Sequence, residues 1–522
     1  MKTEDIMEQK MYKNPVITGF FPDPSVVRVG EDYYLVNSTF QYFPAIVIQH
    51  SKDLVHWEII GHGITENEYL DLTDKEDSHG IWAPDISYHN GLYYIFAPLR
   101  LNNSKAGEKT PLRQMLVMTS GKPEGPYSKP ITFNIDAIDP SHFIDDDGTH
   151  YMISTPGITI TKLNNDCTEI VDPPKTVWPG TGLRAAEGPH IFKKDGYYYA
   201  ILAEGGTGYG HQISVGRSEN LYGPYEASPY NPVMTQKDPA SPIQRAGHGK
   251  IVQTQNGDWW MMYLCGRPNG GNFTTVGRET ALDPVQWTDD GWFTVNHLQG
   301  PSTIQTAPAL PTVIYEELYF DDFDDEKLAL NWHFVRNPKN ELWSLEERKG
   351  FLRMYTGDYD LNDLRAYNTL VRREKDHAYT ATTKLEFNPS KNGEQAGLTC
   401  YYGIYNYIKL FMVHDNGWKI RLVENRAGSQ TCIGERPNIN QSVVYLKVDV
   451  CKQERRFYYS FDNKQWVLVG VVEDARFLSD EGGQVGKRHT GTQVGIYANN
   501  GGNKTKIAAD FDWFHYESKG TN

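Results

Sequence analysis

The sequence has little cysteine, no long apolar run and no excess of basic residues. Its five cysteines are scattered over 522 residues and form no CxxC pair, so they indicate neither a disulfide framework nor a zinc site. The sequence contains no stretch of 18 consecutive apolar residues, which would indicate a transmembrane helix. The N-terminal segment MKTEDIMEQKMYKNP also lacks the apolar core of a signal peptide. We therefore expect a cytoplasmic protein as the chain stands, and a periplasmic or secreted one if a leader peptide has been removed.

The charge balance narrows the classes of partner. The formal net charge is -15 at pH 7, whereas nucleic acids and anionic membranes require a basic binding face. We expect neither as a partner, and a neutral or cationic ligand instead. A chain of 522 residues also exceeds a single hydrophobic core and predicts two or more domains.

One short pattern recurs along the first half of the chain. The five copies are DPSVVRVGEDYYLV from Asp23, WAPDISYHNGLYYIF from Trp82, DPSHFIDDDGTHYMI from Asp139, EGPHIFKKDGYYYAI from Glu187 and HGKIVQTQNGDWWMMY from His248. Each copy reads as a β-hairpin, because two β-rich runs flank a turn in which Gly supplies a positive φ. Five such units predict a five-bladed β-propeller over residues 14–310.

The register of the copies predicts which side chains meet. The first strand of each propeller blade lines the central channel. In each copy, one residue stands an odd number of positions before the turn glycine, so these residues lie on the same face of their strands. We therefore expect five residues to converge on the axis, namely Asp23, Trp82, Asp139, Glu187 and His248. Asp85 is out of register by three residues, so we expect it to face away from the axis and to be structural.

The repeat disappears in the second half of the chain. The stretch GPSTIQTAPALP, residues 300–311, reads as a linker. About nine short alternating strands follow, and their spacing predicts a β-sandwich over residues 317–518. The fold class is thus all-β, a propeller followed by a sandwich. We expect the propeller to close by pairing of residues 16–20 with residues 293–295.

Three carboxylates around one funnel favour catalysis, because buried carboxylates are costly unless paired or used. Asp23 and Glu187 belong to blades that are not neighbours, which suits an inverting glycoside hydrolase that places water and sugar between its base and its acid. Asp139 is next to Glu187 and should raise its pKa, so that Glu187 is the general acid and Asp23 the base. His248 would orient water or a cation, or be structural; the sequence leaves both open.

Several segments resemble glycoside hydrolase family 43, in its branch of two-domain β-xylosidases and α-L-arabinofuranosidases. They are NPVITGFFPDPSVVRVGEDYYLVNSTF, SKDLVHW, GIWAPDISYHNG, IDPSHFIDDDG, AAEGPHIFKKDGYYYAILAEGG, GHGKIVQTQNGDWW and GRETAL. The end of the chain, ADFDWFHYE, resembles the sandwich attached to that propeller. The match spans nearly the whole sequence.

The resemblance implies the same three catalytic roles and adds substrate contacts. It implies that Asp23 is the general base, Asp139 the pKa modulator and Glu187 the general acid. It also implies that Phe40 and Trp82 wall the subsite of the terminal sugar and that Arg278 donates hydrogen bonds to sugar hydroxyls. No cofactor is required, although members often hold calcium, another cation or water beside the histidine that matches His248.

One segment departs from the family. β-Xylosidases of this branch carry a Phe-rich stretch that closes the subsite from the second domain, whereas the corresponding stretch here is His489 to Gln493. We expect His489 and Gln493 to contact substrate. The loss of the aromatic residue favours arabinofuranosyl slightly over xylosyl as the terminal sugar.

The sequence therefore predicts an exo-acting, inverting glycosidase that releases terminal α-L-arabinofuranosyl or β-D-xylosyl residues from hemicellulose oligosaccharides. The alternatives are a β-1,4-xylosidase and, from another class, a non-catalytic carbohydrate-binding propeller. Retention of all three carboxylates argues against the binding module. A retaining fructosidase is disfavoured because no NDPNG-like motif precedes the first repeat. The oligomeric state is left open.

Overall fold

The structure, a computed structural model, describes residues 10–103, 112–486 and 489–520. It is almost entirely β, with five sheets of four or five strands, one two-stranded sheet and two eight-stranded sheets in the described residues. The predicted all-β architecture of a five-bladed propeller and a sandwich is thereby confirmed. In the described part of the chain, no helix is long and apolar enough to span a membrane.

The five blades follow one another along the chain, and each is an antiparallel meander. Their strands, in chain order, are Ser25–Val29, Asp32–Asn37, Ala45–Ser51 and Glu58–Ile64 in blade 1; Gly80–Ile81, Asp85–His89, Leu92–Arg100, Arg113–Ser120 and Ile131–Phe133 in blade 2; Ser141–Ile144, His150–Ser154, Ile158–Leu163 and Ile170–Trp178 in blade 3; Glu187–Lys194, Tyr197–Glu204, Gln212–Ser218, Glu226–Ala227 and Met234–Thr235 in blade 4; and Gln244–Gln253, Trp259–Gly266, Arg278–Trp287 and Phe293–Val295 in blade 5. The repeated hairpin forms the first two strands of blades 1, 3, 4 and 5, and the second and third strands of blade 2.

The ring closes differently from the sequence prediction. Phe293–Val295 pairs within its own blade, so the predicted pairing of residues 16–20 with it is wrong. The N-terminal strand Met11–Lys13 pairs instead with Ile304–Thr306, and Ile17 makes a single bridge to Thr280. The fourth strand of the last blade already fills the position that the prediction gave to the N-terminus.

The sandwich has two eight-stranded antiparallel sheets. One contains Phe320–Asp321, Trp343–Ser344, Leu352–Tyr355, Ala378–Phe387, Val443–Cys451, Glu454–Ser460, Val467–Val472 and Ala508–Ser518; the other contains Tyr42–Phe43, His333–Val335, Thr369–Arg373, Gln395–Gly403, Asn406–His414, Trp418–Arg426, Ser429–Ile439 and Gln493–Asn499. Short 3-10 turns occur at Asn67–Tyr69, Asn296–Leu298, Asn340–Leu342 and Arg476–Leu478.

The two domains are docked through a shared sheet and a shared core. Tyr42–Phe43 leaves the propeller and becomes the edge strand of a sandwich sheet, paired with Phe334 and Val335. Phe20 and Phe40 of the propeller belong to one buried hydrophobic cluster with sandwich residues. Because strand pairing and apolar burial both cross the boundary, the sandwich is held in a fixed position over the propeller mouth.

Candidate active site

A cavity of about 290 Å³ opens where the propeller channel meets the sandwich. Eight of the nine residues predicted from the sequence line it: Asp23, Phe40, Trp82, Asp139, Glu187, His248, Arg278 and His489. All five blades contribute at least one of them, and His489 comes from the sandwich. The structure thus brings the three predicted carboxylates together in one pocket.

Three of these axial residues have an unusual backbone conformation. Asp23, Asp139 and His248 have φ values of 54°, 53° and 47°, in the left-handed region that non-glycine residues rarely adopt. Asp23 and Asp139 each lie two residues before the inner strand of their blade, whereas His248 lies within the strand Gln244–Gln253, at a shift of the strand register. All three residues line the cavity, and such strain persists where the surroundings over-determine it.

Asp23 is held as a carboxylate. Its Oδ2 accepts a hydrogen bond from the Ser38 hydroxyl at 2.6 Å, and its Oδ1 accepts one from Arg278 Nη1 at 3.0 Å. Burial raises the pKa of Asp23, but the charge of Arg278 and the Ser38 hydrogen bond act against burial, and the pKa is lowered. Asp23 is therefore ionised at neutral pH and able to accept a proton.

The pKa values of Asp139 and Glu187 are shifted in the opposite direction, upward. Burial and then the charge of Asp23 raise the pKa of Glu187, and burial followed by the charges of Glu187 and Asp23 raises the pKa of Asp139 well above its usual range. Coulomb repulsion between two carboxylates is mutual, so the pair retains a shared proton. The Gly188 N–H donates to Asp139 Oδ2 at 2.9 Å; this hydrogen bond favours the ionised form of Asp139 but does not outweigh burial and the neighbouring carboxylates.

Arg278 connects the Asp23 carboxylate to the second domain. Its Nη2 donates to the backbone oxygen of His489 at 3.0 Å, while Nη1 is 3.3 Å from Thr207 Oγ1. The backbone N–H of His489 donates to Ser78 Oγ at 3.0 Å. The sandwich loop that carries His489 is thus hydrogen-bonded both to Ser78, just before the first strand of blade 2, and to Arg278, which pairs with Asp23.

Aromatic rings form one wall of the cavity. The Phe40 and Trp82 rings are 6.3 Å apart between centroids, and the His489 ring meets Trp82 edge-on at 6.2 Å. Trp82 Nε1 donates to the Ser78 backbone oxygen at 2.9 Å, which fixes the indole. A tilted apolar wall of this kind suits the face of a sugar ring.

His248 lies beside Asp139 and is buried. Its Nδ1 is 3.9 Å from Asp139 Oδ2, and burial lowers its pKa, so the imidazole is neutral. Calcium takes six to eight oxygen ligands, whereas in the described chain Asp139 alone brings a carboxylate within 4 Å of a His248 nitrogen. The donor set does not fit a protein-caged calcium ion, and no chemical step is assigned to one.

Two side chains lie elsewhere than the sequence indicated. Gln493 is paired inside the sandwich sheet with Arg373 and Tyr401, and its amide donates to the Gly491 oxygen. It does not line the cavity, because it belongs to a buried strand and not to the loop that carries His489. The assignment of Gln493 to substrate binding is therefore wrong.

Asp85 was expected to face away from the axis, and that expectation is also wrong. Its side chain is fully buried among several blades, where it accepts hydrogen bonds from Ser25 at 2.6 Å, Lys250 at 2.6 Å and the His142 backbone at 2.9 Å. Asp85 lies deeper in the channel than the cavity and does not line it. The lysine compensates its charge, and its structural role remains as predicted.

Four lining residues with polar side chains were missed by the sequence analysis: Arg113, Arg184, Thr207 and His211. His211 is buried and its Nδ1 is 3.1 Å from the Arg245 backbone oxygen; burial lowers its pKa to about 3. None belongs to the repeated hairpin motif. The repeat identifies cavity residues only by their position before the turn glycine of each hairpin. These four residues lie outside the hairpins, so the repeat could not identify them.

The comparisons with known proteins agree with this geometry. Residues 12–293 match Glycosyl hydrolases family 43, and residues 320–517 match the Beta xylosidase C-terminal Concanavalin A-like domain. The crystal structure of the GH43 BlXynB protein from Bacillus licheniformis is 62% identical, with a TM-score of 0.95 over 97% of this chain and 100% of that chain. A xylan 1,3-beta-xylosidase of Vibrio sp is 36% identical over 97% of this chain and 98% of its own.

A further relative has a different named sugar. The non-reducing end alpha-L-arabinofuranosidase BoGH43B of Bacteroides ovatus is 34% identical and covers 98% of this chain and 95% of its own. Both family matches and the full-length relatives span the propeller and the sandwich together. The chain is therefore a glycoside hydrolase and belongs to glycosyl hydrolases family 43.

Proposed function

We propose that the protein hydrolyses a terminal glycosidic bond with inversion, using Asp23 as base and Glu187 as acid. Asp23 removes a proton from water as its oxygen attacks the anomeric carbon, and Glu187 gives its proton to the departing glycosidic oxygen. The observation that carries this proposal is the opposite direction of the two pKa shifts within one cavity. Acid–base cleavage of a glycoside requires two carboxyl groups with different pKa values, so that one is ionised while the other is protonated.

Asp139 and Arg278 support these two roles. The negative charge of Asp139 opposes ionisation of Glu187 and keeps the acid protonated. Arg278 opposes protonation of Asp23 and keeps the base ready, and it also neutralises part of the negative charge in the cavity. His248 remains neutral beside Asp139 and can position the water or the carboxyl group without adding charge.

The size and closure of the cavity favour cleavage at a chain end. At about 290 Å³ it lies at the lower limit of ligand pockets, which suits one sugar unit. His489 closes one side and is anchored through Ser78 and Arg278. A polysaccharide cannot pass through a pocket that is closed in this way, so the enzyme acts on terminal residues.

The sugars that we propose are α-L-arabinofuranosyl and β-D-xylosyl residues of hemicellulose oligosaccharides, with arabinofuranosyl preferred. The preference is based on His489, whose imidazole stands where a stacking phenylalanine would favour a flat xylopyranose face. A polar edge tolerates the exposed hydroxymethyl group of a furanose. The second candidate, a β-xylosidase, is favoured by the named activities of relatives from Vibrio sp and Bacillus subtilis.

Enzymes of family 43 are generally independent of cofactors, and we propose that this chain also needs none. A cation such as calcium beside His248 would require water molecules for most of its ligands, since the nearby side chains supply too few oxygens. Added calcium is therefore expected to leave the hydrolysis rate unchanged.

Two measurements test the proposed reaction. Proton NMR of a fresh hydrolysate should show the anomer of inverted configuration first, and an initial retained anomer would contradict the roles of Asp23 and Glu187. The kcat/KM for p-nitrophenyl α-L-arabinofuranoside should exceed that for the β-D-xyloside. A clear xyloside preference would leave the mechanism intact and would show that His489 does not select the furanose.

A further inference from the structure

Three potential metal ligands meet in blade 3, away from the catalytic cavity. His142 Nε2 is 2.9 Å from His150 Nδ1, and Cys167 Sγ is 3.3 Å from His150 Nδ1 and 3.8 Å from His142 Nε2. All three residues are buried. They come from the first strand of the blade, the second strand and the turn that follows the third, so the fold and not a local motif brings them together.

The distances match the ligand triangle of a tetrahedral zinc ion. Zinc binds imidazole nitrogen at ~2.0–2.1 Å and thiolate sulfur at ~2.3 Å, which places its ligand atoms roughly 3.3–3.6 Å apart. The observed separations of 2.9, 3.3 and 3.8 Å bracket these values. An ion at the centre of the triangle is therefore within bonding distance of all three atoms without movement of the backbone.

The groups around the triangle orient these ligands. Ser87 Oγ from blade 2 is 2.6 Å from His142 Nδ1, so the other ring nitrogen, Nε2, is the one directed at His150 and Cys167. This is the arrangement in which an outer hydrogen bond fixes the tautomer of a ligating histidine. Cys167 has a φ of 56° in a turn closed by the bond from its N–H to the Asn164 oxygen.

We propose that His142, His150 and Cys167 form a binding site for a zinc ion. Soft thiolate and borderline imidazole ligands select zinc over the hard cations calcium and magnesium. Binding converts the Cys167 thiol to a thiolate and releases one proton to solvent, while both imidazoles bind as neutral ligands.

The ion would brace the strand that carries a catalytic carboxylate. His142 follows Asp139 by three residues, and its backbone N–H donates to the buried Asp85 in the channel. A metal that joins His142 to His150 and Cys167 cross-links three parts of blade 3, and Ser87 extends the link to blade 2. The site therefore has a structural role, and it is separate from the His248 position.

Cobalt(II) is a suitable probe, because it takes the same tetrahedral ligands as zinc and absorbs light when bound to thiolate. The full-length protein, stripped of metal by a chelator, should bind one cobalt ion per chain with a near-ultraviolet thiolate-to-cobalt band. Added zinc should remove the band by displacement. Absence of stoichiometric cobalt binding to the wild-type protein would overturn the proposal, since the three side chains would then be only a hydrogen-bonded cluster.

Variants distinguish this site from others. Cys167→Ser should lose the thiolate band, and Ser87→Ala, which removes only the outer hydrogen bond, should weaken cobalt affinity by about 10- to 100-fold. Cys432→Ser removes an exposed thiol in the sandwich and should keep the band, as should His248→Ala. A band that survives Cys167→Ser, or that disappears in Cys432→Ser or His248→Ala, would place the metal elsewhere and refute the assignment.

Discussion

The ion pair between Arg278 and Asp23 leads to a quantitative prediction for the Arg278→Gln variant. Arg278 is 4% exposed and Asp23 is 5% exposed, and the charged atoms are 3.0 Å apart. An opposite charge at this distance lowers the pKa of an aspartate by about 1–3 units. Loss of the arginine charge should therefore raise the pKa of Asp23 by about 1–3 units, which corresponds to roughly 1.4–4 kcal/mol.

The direction of the effect on activity follows from the role of the base. Asp23 must be ionised to accept a proton, so a higher pKa moves the acidic limb of the kcat/KM profile to higher pH by the same amount. Below that limb, kcat/KM falls about tenfold per pH unit. The charge of Arg278 also lowers the pKa of Glu187, so the alkaline limb of the variant should move upward as well.

Two controls separate charge from structure. Arg278→Lys keeps a positive charge and should keep the acidic limb near its wild-type position even if kcat falls. Arg184 lowers the pKa of Glu187 and does not figure among the charges that act on Asp23; Arg184→Gln should therefore raise the alkaline limb alone. The assay is kcat/KM against pH with an aryl glycoside. A folded Arg278→Gln enzyme with an unmoved acidic limb would refute the assignment of Asp23 as base.

Three further predictions concern the acid and the domain contact. Asp139→Asn should move the alkaline limb to lower pH, because Glu187 then loses one of the negative charges that oppose its ionisation; an unchanged limb in a pH–rate profile would exclude Asp139 as modulator. Glu187→Ala should reduce kcat/KM by about 100- to 10,000-fold for oligosaccharides, but much less for aryl glycosides with good leaving groups, and equal losses would contradict its role as acid. Gly277→Ala places a Cβ 2.7 Å from Gly491 Cα and should lower kcat/KM by displacing the loop of His489, whereas Gly91→Ala has a similar φ and open space around it and should cost only about 1 kcal/mol of stability.

Most of the propeller could be predicted because its repeat is local. A hairpin with a glycine turn identifies two strands of each blade, and strand parity then places one residue per blade on the axis. That reasoning located Asp23, Asp139 and Glu187 within one cavity. It required no knowledge of the loops between blades.

Features that depend on tertiary contacts between distant segments were not predictable. Asp85 reaches the axis in a deeper layer of the channel. Lys250 donates a hydrogen bond to this buried carboxylate and compensates its charge. His142 and Cys167 are 25 residues apart and carry no metal-binding spacing. Gln493 and His489 are close in sequence, yet one is inside a strand and the other in a loop. The register of that strand, and not the composition of the segment, decides which side chain lines the cavity.

The Asp-Pro pairs of blades 1 and 3 show how local sequence and chemistry are connected. Proline disfavours the helical region for the residue before it, and Asp23 and Asp139 adopt left-handed backbone conformations instead. Such conformations cost of order 1–3 kcal/mol each and must be offset by fixed partners. Ser38 and Arg278 hold Asp23, and the Gly188 N–H holds Asp139. Since each of these contacts favours the ionised form of the carboxyl group that it holds, the strained turns that a sequence reading treats as ordinary strand starts also act on the acid–base chemistry of the site.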